Sequence, residues 1–324
     1  METHRSIHSL STLPGPIHLA IGVFDGIHLG HQEVIRQASQ AAEATDGTAV
    51  VATFDPHPLR VLRPESVPRI LTSTRHKEII LERLGIRHLL EIAFTAEFAA
   101  LSAESFVALL HKHCQPLGSI SVGHDWAFGC ERSGTVATLK QFGLRDGFSV
   151  VAVPLLQIAG DPVSSTRIRQ VVEAGDFIAA RSLLGRDYSV LGTVVHGRKL
   201  GRKLGFPTAN LDSLTEQLPP VGVYAVRVAM GCEILPGVAN LGFRPTLNEG
   251  VSQRQLEVHL FDFDGDVYGQ EMEVRFVQRL RDELRLPSLE ALKEQISRDC
   301  NSARLILGAD APQYAAACDE ADDS

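Results

Sequence analysis

Apolar positions along the first half of the chain recur with two different periods. Short apolar runs predict strands at residues 17–23, 48–54, 88–92, 119–122 and 149–153. Between these runs, apolar residues at helical spacing predict helices at residues 32–44, 77–84 and 103–113. Strands and helices that alternate in this way are typical of an α/β domain whose mostly parallel sheet is covered on both faces.

The pattern changes after Gly185. Strand-like runs now follow one another directly, at residues 188–195, 221–229, 234–241, 256–263 and 272–280. From Leu256 to Leu260, apolar and polar residues alternate as on a strand with one buried face. This half is therefore predicted to form an antiparallel sheet or a small barrel. A last helix is predicted from Ser288, its N-cap, to about residue 306.

These patterns divide the chain into four regions. We place the boundary between two folded domains near residues 184–186, after a helix that Gly185 closes. The folded domains are then residues 17–185 and 186–308. Residues 1–16 are expected to be a flexible N-terminal extension, and the Ala/Asp-rich residues 309–324 a disordered acidic tail.

Composition and charge exclude several classes of protein. The chain is 44% hydrophobic and 22% charged, which is typical of a folded globular protein. Its net charge of −8 argues against general binding to nucleic acid or to anionic membranes. No apolar run approaches the ~18–20 residues of a membrane span, and no signal peptide is recognised, so a cytoplasmic location is expected. The five cysteines suggest neither a disulfide framework nor a zinc site.

The first candidate site follows the strand at residues 17–23. A glycine-rich strand-to-helix turn lets backbone N–H groups approach phosphate, and the helix N-terminus favours negative charge there. His28 and His31 are three residues apart, so their imidazoles are expected on one side of the first helical turn, where they can stabilise developing charge. The alternative is a polar turn with surface histidines. The candidate phosphate-binding residues of this turn are Gly22, Phe24, Asp25, His28, Gly30 and His31.

A second segment offers a complementary phosphate clamp. Hydroxyl groups stand at a predicted helix start, with arginines in its first turn. The candidate residues are Ser164, Ser165, Thr166 and Arg167, with Arg169 nearby. Helix starts with Ser or Thr are common, so this segment is informative only together with the histidine turn. Neither a Walker loop nor G-x-G-x-x-G occurs, and the chemistry that fits is in-line displacement at phosphorus.

The motifs GVFDGIHLGH, FDPHP, VGHDWAFG and SSTRIR occur in this order. Together they resemble the N-terminal adenylyltransferase module of bacterial bifunctional riboflavin kinase/FAD synthetases. The resemblance implies a Rossmann-like nucleotidyltransferase domain that transfers AMP from ATP to FMN, giving FAD and pyrophosphate. It implies roles around the ATP phosphates for Asp25, His28 and His31, and roles in the second phosphate motif for Ser165, Thr166 and Arg167. It also implies that His57 and the loop from Asp125 to Gly129, which includes Phe128, lie near the nucleotide and flavin. His124 and Trp126 depart from the family's usual residues in this loop.

The densest local signal in the second half lies at residues 196–210. Gly197, Gly201 and Gly205 permit close approach of a ligand, and four cations lie within residues 198–203. Such a loop suits a polyphosphate, with Arg202 and Pro207 as further ATP-binding candidates. A nucleic-acid patch is the alternative, but no aromatic residues are interleaved for base stacking. The oxygen donors of Thr208 and Asn210 suit Mg²⁺.

A downstream carboxylate completes the second candidate site. Glu257 lies between Leu256 and Val258, whose side chains point to the other face of the strand. A carboxylate there can accept a proton from an alcohol that attacks a γ-phosphate. The alternative is an ordinary solvent-facing glutamate.

The second half resembles the riboflavin kinase domain of the same family. The matching motifs are GFPTAN, GVYAV, GVANLGFRPT, LEVHLFDF and LRDE. The resemblance implies a six-stranded antiparallel barrel, Thr208 and Asn210 at Mg²⁺–ATP, Glu257 as the base on the ribityl hydroxyl, and Arg281 near the flavin. Leu286 and Pro287 stand where the family usually has Phe.

The sequence therefore predicts a bifunctional enzyme whose ligands are ATP, riboflavin, FMN and FAD, without nucleic-acid or membrane partners. The oligomeric state is not predicted. Three alternatives stay open at this point. They are an enzyme with a single activity, a non-catalytic flavin- or nucleotide-binding regulator, and an adenylyltransferase for another substrate. The intact motifs in both halves disfavour all three.

Overall fold

The structure is a computed structural model that describes residues 1–197, 201, 204–212, 215–244 and 253–309. Contacts divide the chain into two compact units. The first unit contains residues 1–168 and 183–185, and the second contains residues 169–182 and the described residues from 186 onward. The sequence places residues 169–182 in the first domain, so the division by contacts differs from the predicted boundary.

The first unit alternates strands and helices as predicted. Its strands are β1 (Glu2–His4), β2 (Ile17–Ile21), β3 (Thr48–Asp55), β4 (His88–Ala93), β5 (Leu117–Gly123), β6 (Ala127–Phe128), β7 (Gly134–Thr135), β8 (Ser149–Val153), β9 (Gln157–Ile158) and β10 (Asp161–Pro162). Its helices are α1 (Leu29–Ala44), α2 (Pro58–Leu62), α3 (Thr74–Arg83), α4 (Ala96–Ala99), α5 (Ala103–His113) and α6 (Val136–Asp146). The start of α7 (Ser165–Ala174) and the end of α8 (Phe177–Leu184) also belong to this unit.

Six of these strands form one parallel sheet in the order β1-β4-β3-β2-β5-β8. All five residues of β2 are buried because helices cover both faces of this central strand. Two apolar clusters form the core, one around Leu19 and Phe106 and the other around Ala20 and Leu81. The predicted parallel α/β domain is confirmed. Helix α6 and the short hairpins were not predicted.

Residues 1–16 do not form the flexible extension that the sequence predicts. Strand β1 pairs in parallel with β4, from Glu2 opposite His88 to His4 opposite Leu90. A 3-10 helix follows at Ile7–Thr12, and its Leu10 is fully buried in the core. The prediction is wrong because a three-residue strand leaves no periodic signal in the sequence.

The second unit is a closed antiparallel barrel with a terminal helix. Its strands are β11 (Tyr188–Val195), β12 (Ala209–Asp212), β13 (Gly222–Met230), β14 (Glu233–Arg244), β15 (Gln253–Leu260) and β16 (Glu271–Arg281), in the order β11-β12-β15-β14-β13-β16. The helix is α9 (Leu289–Ala309), and the Oγ of Ser288 caps it by accepting a bond from Ala291 N at 3.1 Å. The predicted six-stranded barrel and final helix are confirmed.

The barrel interior is apolar and aromatic. Tyr224 and Phe276 are fully buried and meet edge to face, with ring centroids 5.2 Å apart. Phe177, from the part of α8 that belongs to this unit, stacks on Phe276 at 5.5 Å. This stacking packs one residue of the 169–182 segment against the barrel. On the outside of the barrel, Val223 and Ala225 pack against Ala303 of α9.

Three smaller predictions can be compared with the described residues. No helix in the described part of the chain is long and apolar enough to cross a membrane. Cys114, Cys130 and Cys300 are free thiols, and Cys318 lies outside the described residues. The predicted disordered tail at 309–324 falls, from residue 310, outside the described residues.

Candidate active sites

The turn between β2 and α1 is sharply bent and held by buried side chains. Phe24 and Ile27 both adopt positive φ, 50° and 38°, and both are buried. Gly26 between them has φ 83°, where a side chain would be strained and would also meet Leu71 at 2.7 Å. A Cβ at Gly22 would meet the Phe24 ring at 2.9 Å. Packing therefore fixes a backbone conformation that this sequence would not adopt alone.

Asp25 ties this turn to the segment that follows β3 and α2. Its buried carboxylate accepts hydrogen bonds from the backbone N–H groups of Leu71, at 2.7 Å, and Thr72, at 3.2 Å. The Thr72 hydroxyl in turn accepts a bond from Gly26 N at 3.0 Å. Asp25 therefore holds the turn in place, a role that the sequence did not indicate.

His28 and His31 lie together at the N-terminus of α1, as their spacing predicts. Their rings stack with centroids 3.5 Å apart and an interplanar angle of 17°. His28 is the N-cap, and its Nδ1 accepts a bond from His31 N at 3.3 Å. The edge-to-face Phe24 ring lies 5.3 Å from the His31 ring. At Gly30, an added Cβ would come within 3.3 Å of the His28 ring, so a small residue leaves that imidazole its space.

The structure brings the Ser/Thr/Arg segment to this turn. The Ser165 hydroxyl donates to the Asp25 carbonyl at 2.8 Å. The Ser164 hydroxyl accepts from Arg167 N at 3.2 Å and caps α7, while Thr166 is exposed. The Arg167 guanidinium donates to three carbonyl oxygens of the β9–β10 hairpin, those of Ile158, Asp161 and Pro162. The two predicted phosphate motifs therefore lie next to each other. The Arg167 side chain is hydrogen-bonded to the β9–β10 hairpin, which precedes α7 in the sequence.

Sequence reasoning missed a buried cation below the same turn. Lys77 of α3 is only 6% exposed, and its Nζ donates to the Val23 carbonyl and to the Thr53 hydroxyl, both at 2.9 Å. Burial holds the pKa of Lys77 at about 8, below its ordinary value, although the carboxylates of Asp25, Asp55 and Glu91 act in the opposite direction. A signal was present, because Lys77 shares a helix face with the buried Ile80 and Leu81.

The proposed flavin residues of this unit occupy two separate segments. His57 is the N-cap of α2, where its Nδ1 accepts a bond from Leu59 N at 3.2 Å. Asp125 is exposed, with its carboxylate 3.9 Å from the His124 ring. Phe128 is buried and stacks on Trp126 at 4.5 Å with an interplanar angle of 14°. Trp126, one of the two departures from the family pattern in this loop, therefore packs on the predicted flavin residue Phe128.

On the barrel, strand pairing places three polar residues in one row. Glu257 of β15 lies opposite Asn210 of β12 on one side and Asn240 of β14 on the other. Directly paired residues in antiparallel strands project to the same face. Leu256 and Val258 are fully buried on the opposite, interior face, so the row faces the outside of the barrel. Asn240 was not among the predicted site residues, although it lies in a recognised motif.

The row is fixed by hydrogen bonds and by a close glycine. Asn210 is 5% exposed, and its Oδ1 accepts a bond from the Gln255 amide at 2.6 Å. A Cβ at Gly197 would lie 2.2 Å from the Asn210 amide nitrogen, so any side chain there would displace the Asn210 amide. Glu283 reaches the row from beyond β16, with its carboxylate 3.5 Å from the Asn240 amide nitrogen.

The predicted phosphate loop closes back on the start of β12. Phe206 N donates to the Gly201 carbonyl at 2.9 Å, and a Cβ at Gly201 would meet the Phe206 carbonyl at 2.3 Å. Gly205 has φ 89°, and the Pro207 carbonyl lies 2.8 Å from the His259 imidazole. This closure leads the chain into Thr208, which is partly buried. Arg202, also predicted here, lies outside the described residues.

Arg281 is engaged with a buried carboxylate. Its guanidinium forms a two-pronged ion pair with Asp299 of α9, with a shortest N···O distance of 2.6 Å, and donates to the Asp282 carbonyl at 2.7 Å. The residue proposed to contact flavin therefore also ties β16 to the terminal helix.

Comparisons with known proteins match both halves of the chain. The riboflavin kinase family model matches residues 184–307, and the FAD synthetase family model matches residues 11–167. A bifunctional riboflavin kinase/FMN adenylyltransferase of Escherichia coli (strain K12) is 39% identical, over 96% of this chain and 100% of that protein. One of the same description from Pseudomonas fluorescens is 38% identical, over 94% of this chain and 98% of that protein.

A solved structure shares the architecture. The crystal structure described as a macrolide-efflux protein from Streptococcus pneumoniae has a TM-score of 0.80 and 32% identity, covering 94% of this chain and 99% of that one. Together with the matched family models and the near-complete coverage of the relatives, this shows that the chain belongs to the bifunctional riboflavin kinase/FMN adenylyltransferase family.

Proposed function

We propose that this chain makes FAD from riboflavin in two steps, at two separate sites. The barrel transfers the γ-phosphoryl group of ATP to riboflavin, giving FMN and ADP. The α/β unit then transfers AMP from a second ATP to FMN, giving FAD and pyrophosphate. The observation that carries this proposal is that one chain holds both the stacked His28–His31 pair and the Asn210–Glu257–Asn240 row.

In the adenylyl transfer, an FMN phosphate oxygen attacks the α-phosphorus of ATP, and the bond to pyrophosphate breaks. His28 and His31 hydrogen-bond the phosphate oxygens as their charge grows, and the N-terminus of α1 adds a favourable dipole. Gly22, Phe24, Asp25 and Gly30 shape the turn that receives the triphosphate. Ser164, Ser165, Thr166 and Arg167 bind its other side. Arg167 reaches phosphate by exchanging its carbonyl partners for a charged acceptor.

In the phosphoryl transfer, Glu257 takes the proton from the primary hydroxyl of the ribityl chain as its oxygen attacks the γ-phosphorus and ADP leaves. Gly197, Gly201, Arg202, Gly205 and Pro207 form the loop that binds the phosphates. Thr208 and Asn210 hold Mg²⁺, and their neutral oxygen donors beside a carboxylate fit that hard cation. When bound, the ion neutralises charge on the phosphates.

The flavin contacts and domain limits are part of the same proposal. His57, Asp125 and Phe128 border the flavin of the adenylyl-transfer site, and Arg281 borders that of the kinase site. Functionally, residues 17–185 form the adenylyltransferase and residues 186–308 the kinase, and the enzyme works in the cytoplasm.

The test separates the two activities in the full-length protein. Flavins are resolved chromatographically after incubation with ATP, Mg²⁺ and either riboflavin or FMN. Glu257→Gln should reduce FMN formation about 10²–10⁴-fold and leave FAD formation from supplied FMN unchanged. His28→Asn should reduce FAD formation about 10²–10³-fold and leave FMN formation unchanged. Glu233→Gln, on an exposed barrel position, and His113→Asn are the matched controls.

A single-activity enzyme and a non-catalytic regulator each predict a different product pattern from the wild type. FMN without FAD would show a riboflavin kinase alone. FAD formed only from supplied FMN would show an FMN adenylyltransferase alone. Neither product, with flavin binding intact, would show a regulator. Equal loss of both activities in Glu257→Gln would contradict separate sites.

A further inference from the structure

Two histidines and a glutamate converge at the edge of the parallel sheet, on the pair of strands β1 and β4. His4 and Glu2 lie on β1, and His88 lies opposite Glu2 at the start of β4. One ligand atom from each of the three side chains lies within 4.8 Å of the others. His4 is 5% exposed, whereas Glu2 is exposed. Neither proposed active site uses these residues.

The distances between the donor atoms match those of a zinc site. The His4 Nε2 and His88 Nδ1 atoms are 3.2 Å apart. Zinc–nitrogen bonds of about 2.0–2.1 Å at a tetrahedral angle place two ligand nitrogens about 3.3–3.4 Å apart. The Glu2 carboxylate lies 3.6 Å from the ligating His88 Nδ1, whereas its 3.7 Å distance to His4 is to Nδ1 and not to the ligating Nε2. Because Glu2 is exposed, its side chain can turn to complete the set.

A neighbouring serine fixes which nitrogen of His4 carries the proton. The Ser9 hydroxyl donates to the Ser6 carbonyl at 2.7 Å, so its oxygen is left to accept from His4 Nδ1, 3.1 Å away. The proton is then on Nδ1, and the lone pair of Nε2 is directed at His88. A hydrogen bond from the second ring nitrogen of a ligating histidine to a nearby acceptor is a regular feature of metal sites.

The nearby charges also leave the three ligands available. The cations of this segment have carboxylate partners of their own, since the Met1 amino group pairs with Glu82 at 2.7 Å and Arg5 with Glu91 at 3.5 Å.

We propose that Glu2, His4 and His88 form a Zn²⁺ site that links strand β1 to strand β4. Water completes the fourth position, on the exposed side of Glu2. By bridging the two strands, the ion fastens a strand of only three residues to the sheet edge. If the site holds no metal, His88 Nδ1 donates a hydrogen bond to His4 Nε2.

The experiment uses the full chain with a C-terminal tag that is removed, so that residue 2 keeps its native surroundings. The protein is stripped with a chelator and titrated with Zn²⁺ alone by calorimetry, without nucleotide or flavin. We expect a saturable site with one Zn²⁺ per chain that also raises the melting temperature. His88→Ala and Glu2→Gln should each weaken binding on the order of 100-fold, whereas Ser9→Ala should weaken it about 10-fold. His113→Ala is the control for loss of a histidine outside the cluster.

The outcomes decide the proposal in either direction. Glu2→Gln alters an exposed side chain, so it remains informative even if His88→Ala does not fold. Zn²⁺ binding that persists unchanged in Glu2→Gln and Ser9→Ala, or the lack of a one-to-one site in the wild type, overturns the proposal. FMN and FAD formation should be unaffected by Glu2→Gln, so the site can fail without any consequence for the proposed function.

Discussion

The buried Lys77 leads to a prediction about stability at alkaline pH. Its ammonium group lies below the turn that carries the histidine pair, bonded to the Val23 carbonyl and to the Thr53 hydroxyl. Burial lowers its pKa to about 8, and three surrounding carboxylates only partly oppose this effect. In the unfolded chain the pKa of a lysine is about 10.4. Folding therefore costs free energy as long as Lys77 is charged.

The direction of the pH effect on the free energy of unfolding follows from the number of protons bound by the folded and the unfolded chain. Below pH 8 Lys77 is protonated in both states, and the penalty is fully present. Between pH 8 and about 10.4 the unfolded chain keeps the proton while the folded chain loses it, so the free energy of unfolding rises with pH. The two pKa values differ by about 2.4 units, which at 1.36 kcal/mol per unit is about 3 kcal/mol.

The assay compares wild type with Lys77→Met by urea unfolding at several pH values from 7.5 to 10.5. Trp126 is the only tryptophan of the sequence, and it packs against the core of the first unit. Its fluorescence therefore reports the unfolding of that unit. Methionine keeps most of the side-chain length, and the Thr53 hydroxyl still donates to the Val23 carbonyl at 3.0 Å. Lys140→Met, at an exposed position of α6, is the matched control.

The quantity to examine is the difference between the free energies of unfolding of wild type and variant. It should rise by about 3 kcal/mol in favour of the wild type between pH 8 and 10.5. Groups common to both proteins cancel in this difference. A flat difference across the window, or the same rise with Lys140→Met, would falsify the claim that burial depresses the pKa of Lys77.

Three further predictions test packing at the sites and in the core. Gly197→Ala should reduce FMN formation on the order of 10²-fold, because its Cβ displaces Asn210, while FAD formation from supplied FMN stays constant in the same flavin assay. Asp299→Ala should destabilise the barrel by about 3 kcal/mol, measured by circular dichroism in urea, because it leaves the Arg281 guanidinium without its carboxylate. Leu10→Ala should lower the free energy of unfolding of the first unit by about 2–5 kcal/mol, measured by Trp126 fluorescence, because Leu10 is fully buried. A decrease well under 1 kcal/mol would mean that residues 1–16 do not pack into the core.

The sequence predicts the fold best where a segment is long, periodic and capped. Helix α5 and strand β8 have the predicted bounds, and β11 matches to the residue. Strands β1 and β12 have only three and four residues, too few for a period to be recognised. Pairing partners distant in the sequence stabilise such strands, and a local pattern carries no information about those partners.

The same limit explains which candidate site residues the sequence pattern indicates and which it misses. Alternation along β15 gives the face of Glu257, but strand register alone places Asn240 beside it, 17 positions away in the sequence. Lys77 was missed for a different reason. A lysine at the start of a predicted helix is ordinarily solvent-exposed, and the helix was expected to begin at Lys77, whereas it begins at Thr74 after the N-cap Ser73. Because the helix begins at Thr74, Lys77 lies on its apolar face, where a buried ammonium group needs hydrogen-bond partners. Recognising Ser73 as the N-cap in the sequence would have predicted this burial.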